Sequence, residues 1–154
     1  MTGPAERLAA LGLTLPPVVA PLAAYVPAVV AGGFVYTSGQ LPMVDGKLAA
    51  VGKVGGEVSA QEAAGLARTC ALNAIAAAAA AAGGLDAISR VVKVTGFVAS
   101  APGFSGQPQV VNGASELLIE MFGEDGRHAR SAIGVAELPL NAPVEVELIA
   151  QIRS

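Results

Sequence analysis

Alternation of apolar and polar positions is clearest at the carboxyl-terminal end of the chain. In PVEVELIAQI (residues 143–152), Val144, Val146, Leu148, Ala150 and Ile152 fall on one side of an extended backbone and Glu145, Glu147, Ile149 and Gln151 on the other, which predicts a half-buried strand. ARSAIGVAEL (129–138) alternates in the same way, with Arg130, Ala132, Gly134 and Ala136 on one face and Ser131, Ile133 and Val135 on the other. Three very small side chains beyond a guanidinium leave open space on that face. ISRVVKVTGFVAS (88–100) is a further strand. YVPAVVA and FVYTSGQ are rich in β-branched and aromatic residues on either side of Gly32-Gly33 and predict a hairpin. VDGK (44–47) is a second turn, leading into a short strand or an irregular connection.

Helical signals lie between these strands. Ser59 followed by Glu62 makes a capping box, nothing but Gly65 interrupts the run to Ala82, and Gly83-Gly84 supplies the stop. Along this helix Leu66, Cys70, Asn73 and the alanines at 74, 77, 78 and 81 share one side, a narrow surface that lets a sheet approach closely. QVVNGASELLIEMFG (109–123) predicts a second helix closed by Gly123. AERLAAL (5–11) is a short amphipathic turn or helix, and the following LTLPPVVAPLAAYVP is too proline-rich for regular structure, so it reads as an arm laid along the domain. The order β-β-(β)-α-β-α-β-β predicts an α+β sandwich, a mixed sheet of about six strands with two helices on one face. Only 14% of residues are charged, too few to coat the other face, which is therefore expected to be shared with sister subunits.

Composition narrows the function classes. The 154 residues suit one domain, with residues 1–20 as its arm. A net charge of -3 and the lack of any Lys/Arg-rich window argue against nucleic acid as partner. A lone cysteine, Cys70, and a lone histidine, His128, exclude an intramolecular disulfide and a Cys/His zinc site, so no metal is expected. Cys70 reads as a small core residue and His128, at a strand entrance, as a surface residue. AIAAAAAAA (74–82) is a packed helix rather than a membrane span, because alanine is weakly hydrophobic and the best helix former. The first residues lack the basic and apolar regions of a secretory signal, so the expected compartment is the cytoplasm, with no membrane association.

FVYTSGQLP after the first hairpin, NGASELL in the second helix and ARSAIGVAELPLNAPVEVELIA at the end occur in the order seen in the YjgF/Rid family, the reactive intermediate deaminases, which the chain resembles over residues 20–152. The amino-terminal arm and the length are similar to the family's longer branch. The resemblance implies a chorismate-mutase-like α+β fold assembled as a homotrimer, with small-molecule pockets at the subunit interfaces and no cofactor. It also implies hydrolysis of reactive enamines and imines, of the 2-aminoacrylate type, to 2-keto acids and ammonia. In the family pattern the arginine of the ARS motif grips the substrate carboxylate, which falls on Arg130, and a glutamate of the final strand, Glu145, is associated with the attacking water. Tyr25, Ser38 with the backbone of Gly39, and Asn112 correspond to substrate-binding positions. Many members carry a cysteine two residues after the arginine; here Ala132 stands there, so main-chain contacts survive and any role for a thiol is lost. Ribonuclease-like activity, attributed to some members of this endoribonuclease L-PSP family, fits poorly with the acidic charge.

The chemistry suits these residue types. An imine is already electrophilic at carbon, so the reaction calls for orientation and proton handling: a guanidinium matches a carboxylate in a planar fork, and a carboxylate can activate water. Blander roles stand beside these. Arg130 can pair with Glu145 or Glu147 as an interface salt bridge, the two glutamates can line a solvated trimer centre, and Tyr25 can be a packing residue. Asn112 can bind a loop backbone, and Ser38 can satisfy its own turn. The alternative function is a non-catalytic trimer that binds a small carboxylate for sensing or partner control.

Overall fold

The computed structural model describes residues 2–20 and 23–154. Helix α1 (Pro4–Ala10) is followed by irregular chain whose Leu13 and Leu15 pack on the core, as the proline content requires. Met1 of the predicted arm, and Pro21 and Leu22 of the proline-rich stretch that continues from it, lie outside the described residues. Strands β1 (Ala28–Ala31) and β2 (Phe34–Thr37) form the first hairpin, and both turn glycines have positive φ, 59° at Gly32 and 82° at Gly33. That pair of left-handed residues matches the right-handed twist of the flanking strands. The VDGK turn makes a two-stranded hairpin of its own, β3 (Met43–Val44) with β4 (Lys47–Leu48), rather than joining the main sheet.

Helix α2 (Ala60–Ala82) starts where the capping box places it, Ser59 Oγ accepting from the Glu62 backbone N–H at 3.0 Å, and ends on the left-handed Gly83. Strand β5 (Ile88–Ala99) leads to helix α3 (Gln107–Phe122), which begins two residues before the predicted start because Gln107 and Pro108 suit a first turn. Strand β6 (Ala129–Val135) stops short of the predicted end, and β7 (Val144–Ile152) closes the fold. The main sheet has five strands, not about six, in the order β1-β2-β7-β5-β6; β5 and β6 are parallel and the other neighbours antiparallel. Among the described residues the fold is thus α+β, a mixed sheet with three α-helices.

The alternation in β7 resolves into two faces. Val144, Val146, Leu148 and Ala150 are buried with Val94 and Val98 of β5 under α2 and α3. The predicted narrow stripe on α2 is too modest: from Cys70 to Ala79 all residues but Leu72 are buried, because α3 covers the flank that the sheet leaves. By composition α2 is long and apolar enough to cross a bilayer, with a mean hydropathy of 1.3, but 67% of that window is buried within the fold, as in a core helix. Cys70 belongs to this core, its thiol pushed well above the usual range by burial. On the opposite sheet face the paired Val29 and Tyr36 at one edge and Ile133 at the other remain 52%, 43% and 41% exposed, large apolar side chains that a single chain leaves open.

Candidate active site

Strand β6 aims Arg130 toward the helices. Its register partner is Val94, which in turn faces Leu148, both on the buried side of the sheet. The guanidinium reaches the first half of α3, where Nη1 donates to Asn112 Oδ1 at 2.8 Å and to Ser115 Oγ at 3.2 Å, and Nη2 donates to the Pro108 carbonyl at 3.4 Å. A guanidinium has five donors in a fixed fork. Among the described residues, Nε–H and the second Nη2–H meet no protein acceptor and no carboxylate pairs with Arg130. The salt bridge to Glu145 or Glu147 is therefore not made within the chain.

The strand and helix meet here because the side chains between them are small. A Cβ at Gly96 would lie 2.5 Å from Val111 Cγ2, one at Gly134 would lie 2.7 Å from Gln107 Nε2, and one at Gly113 would overlap the Ala64 carbonyl of α2. The open space read beside Arg130 is thus taken at Gly134 by the side chain of Gln107, and Ala132 packs against the core. The small residues of β6 admit a helix, and the hydrogen-bonding capacity left over in this cluster is the unused edge of the guanidinium itself.

A second cluster lies on the other face. Glu145 stands opposite Phe97 in the β5–β7 register, on the sheet face that the helices leave open. After β2 the chain stays with β7 through an irregular step: the Leu148 N–H is taken by Thr37 Oγ1 at 3.0 Å, and Gln40 and Val146 then exchange backbone hydrogen bonds at 2.8 and 3.0 Å. That step sets Gly39 against the Glu145 carboxyl so closely that any Cβ there would overlap it. Tyr25, Leu41, Met43, Pro139 and Val19 of the arm wall a largely apolar cleft of about 500 Å³, including its open mouth, beside Glu145 and Gly39. Burial raises the Glu145 pKa above the ordinary carboxylate value, and the neighbouring Glu147 adds to the effect. Ser38 binds its own region, Oγ donating to the Val26 carbonyl at 2.6 Å, which holds the segment carrying Tyr25 near the cleft.

The seven predicted residues therefore separate into two groups, Arg130, Asn112 and Ala132 on one face of the sheet and Glu145, Gly39, Ser38 and Tyr25 by the other. Within one chain the sheet stands between them. Sequence reasoning missed Ser115 and Asn73. Asn73 is buried, and its Nδ2 donates to the Leu41 and Met43 carbonyls at 3.1 and 3.0 Å, tying α2 to the cleft wall. An amide in a helix face otherwise made of alanine was the available signal. His128 is half-buried and hydrogen-bonded to Ser115, not a surface residue.

A family model described as "YjgF/chorismate_mutase-like, putative endoribonuclease" matches residues 5–152. The chain belongs to the YjgF family. Within it, protein TCP17 of Trypanosoma cruzi is 43% identical over 151 residues, covering 97% of this chain and 94% of the relative. The crystal structure of protein Atu1372 from Agrobacterium tumefaciens, of unknown function, is 48% identical, covers 97% of this chain and 92% of that one, and superposes with a TM-score of 0.90. Escherichia coli TdcF, crystallised with bound serine, is 27% identical over 89% of this chain and 94% of that one, with a TM-score of 0.61. This YjgF-family chain thus keeps the common fold and shares far more of its geometry with Atu1372 than with TdcF.

Proposed function

We propose that the protein hydrolyses small 2-imino acids and their enamine tautomers to 2-keto acids and ammonia, acting as a homotrimer whose sites form between protomers. The observation that carries this reading is the Arg130 guanidinium: three protein acceptors hold it in place, none of them is charged, and two donors of the fork are left over. Such an arrangement suits a carboxylate supplied by a ligand. Serine bound to TdcF is a small molecule that carries one, and this family member supports the same ligand class here.

Glu145 contributes the other half. A carboxylate whose pKa is raised by burial is a better proton acceptor than a solvated one, and an apolar cleft limits the water around it. With the substrate carboxylate on Arg130 of one protomer, Glu145 of the next takes a proton from water as oxygen adds to the imine carbon. With the imine entering protonated, Glu145 returns that proton to the amine nitrogen of the carbinolamine, the C–N bond breaks to release ammonia, and the hydroxyl proton passes to solvent as the carbonyl forms. Separation of the two groups by the sheet, together with the exposed apolar side chains of Val29, Tyr36 and Ile133 at its two edges, supports assembly in which one protomer's Arg130 meets another's Glu145.

A second reading, a trimer that binds a small carboxylate without turnover, is favoured by one observation: Val19 of the amino-terminal arm lines the cleft beside Glu145. The two separate in a coupled assay in which an amino-acid oxidase or dehydratase generates the imine. Faster keto-acid release than the spontaneous rate is the expected result. Equal rates with and without protein across several amino acids would overturn the hydrolase and leave the binding protein.

A further inference from the structure

The groups that hold the anion anchor form a chain of their own. His128 Nδ1 lies 2.6 Å from the Gly126 carbonyl oxygen, and a carbonyl only accepts, so Nδ1 carries the ring proton. The neutral ring then presents a bare Nε2, 2.9 Å from Ser115 Oγ, and the serine hydroxyl donates to it. With its hydrogen engaged there, the serine oxygen has only lone pairs to offer Arg130 Nη1, 3.2 Å away. The neutral form is favoured where the ring sits: desolvation lowers the His128 pKa, the Gly126 carbonyl opposes that, and the nearby Arg130 charge lowers it again. Four parts of the fold meet in this chain, namely α3, the 3₁₀ turn Gly123–Gly126, the residue before β6, and β6 itself. A serine hydrogen-bonded to histidine can also be a nucleophile, but here a cation takes up the serine oxygen's lone pairs, which lowers its nucleophilicity.

We propose that Ser115 and His128 are positioning residues for Arg130. The ring fixes the serine hydroxyl, the serine oxygen fixes Nη1 beside Asn112, and the guanidinium is left with its Nε–H and one Nη2–H aimed at a ligand carboxylate. The proposal rests on the reading of Arg130 as a carboxylate anchor. It requires that His128 act only through Ser115.

Calorimetric titration of the full chain with pyruvate tests it, with circular dichroism melts confirming that each variant is folded. Arg130→Ala is expected to weaken binding by about a hundredfold or more, and Ser115→Ala by about tenfold, the scale of one hydrogen bond to a charged group. Ser115→Thr, which keeps the oxygen, stays within about twofold of wild type, and His128→Ala weakens binding about threefold. The deciding variant is the double one: Ser115→Ala/His128→Ala binds no more weakly than Ser115→Ala alone, whereas a packing role for the ring would add its own loss. Additive losses, or a Ser115→Ala protein that binds like wild type while Arg130→Ala does not, overturn the positioning role and leave the anchor standing. No pyruvate binding by the wild type, or undiminished binding by Arg130→Ala, overturns both.

Discussion

The two candidate half-sites differ in how completely one chain builds them. Around Arg130 the protein provides every positioning contact: a helix amide, a hydroxyl, a carbonyl and a close strand–helix approach leave a charge held in one orientation. Around Glu145 it provides removal from water and little else. Among the described residues no hydrogen bond to the carboxylate offsets its desolvation, and the cleft beside it opens outward. A held cation suits the part of a substrate that does not change during reaction. A carboxylate left short of partners suits the part at which a proton moves.

That contrast can be broken most forcefully by separating the halves. Arg130→Ala and Glu145→Gln proteins are each expected to be inactive, losing on the order of 10²-fold or more from a charge-assisted contact or a general base. Refolded together, they should recover activity at about a quarter of the wild-type sites in the proposed trimer, since a ring of three with both parents has one intact pairing. Coupled keto-acid release reads this directly, and no recovery would overturn the pairing of Arg130 with Glu145 across protomers. Next in size is Gly113→Ala, whose Cβ would overlap the Ala64 carbonyl between α2 and α3. Overpacking against backbone costs about 1–3 kcal/mol, or more, so a fall in Tm is expected, accompanied by weaker pyruvate binding as α3 shifts under Arg130.

Smaller effects sharpen the comparison through pH. Glu145 has its folded-state pKa raised, so its charged form is penalised in the fold and stability declines as pH rises from the unfolded carboxylate value through the folded one. Glu145→Gln should therefore melt above wild type at pH 7, and the gap should close below about pH 4. His128 behaves in the opposite sense. Its folded pKa lies below the ordinary histidine value, so its contribution to stability is whole above about pH 6.5 and is lost as pH falls toward the folded pKa. His128→Gln is expected to flatten that slope in melts between pH 7 and 5, the smallest change of the series, since the ring is only half-buried.

Much of the architecture was legible from local chemistry. The Ser59–Glu62 cap, the Gly32-Gly33 turn and the alternation in 144–152 each specify backbone geometry through nearby residues, and each element formed where those signals stand. The strand count missed because pairing is a long-range choice: β3 and β4 pair with each other and with no strand of the main sheet. The site followed the same division. Arg130 and Glu145 were identifiable as chemistry-bearing residues on alternating strands, and the family motifs gave them roles.

By itself the sequence determined most of the elements, the two faces of the last strand and the family resemblance, because those depend on residues close along the chain. Only the tertiary structure decided that small residues on β6 make way for α3, that Ser115 and His128 stand behind Arg130, and that Arg130 and Glu145 face away from each other. These are matters of which elements lie side by side, set by burial across distant segments, and no local pattern encodes them.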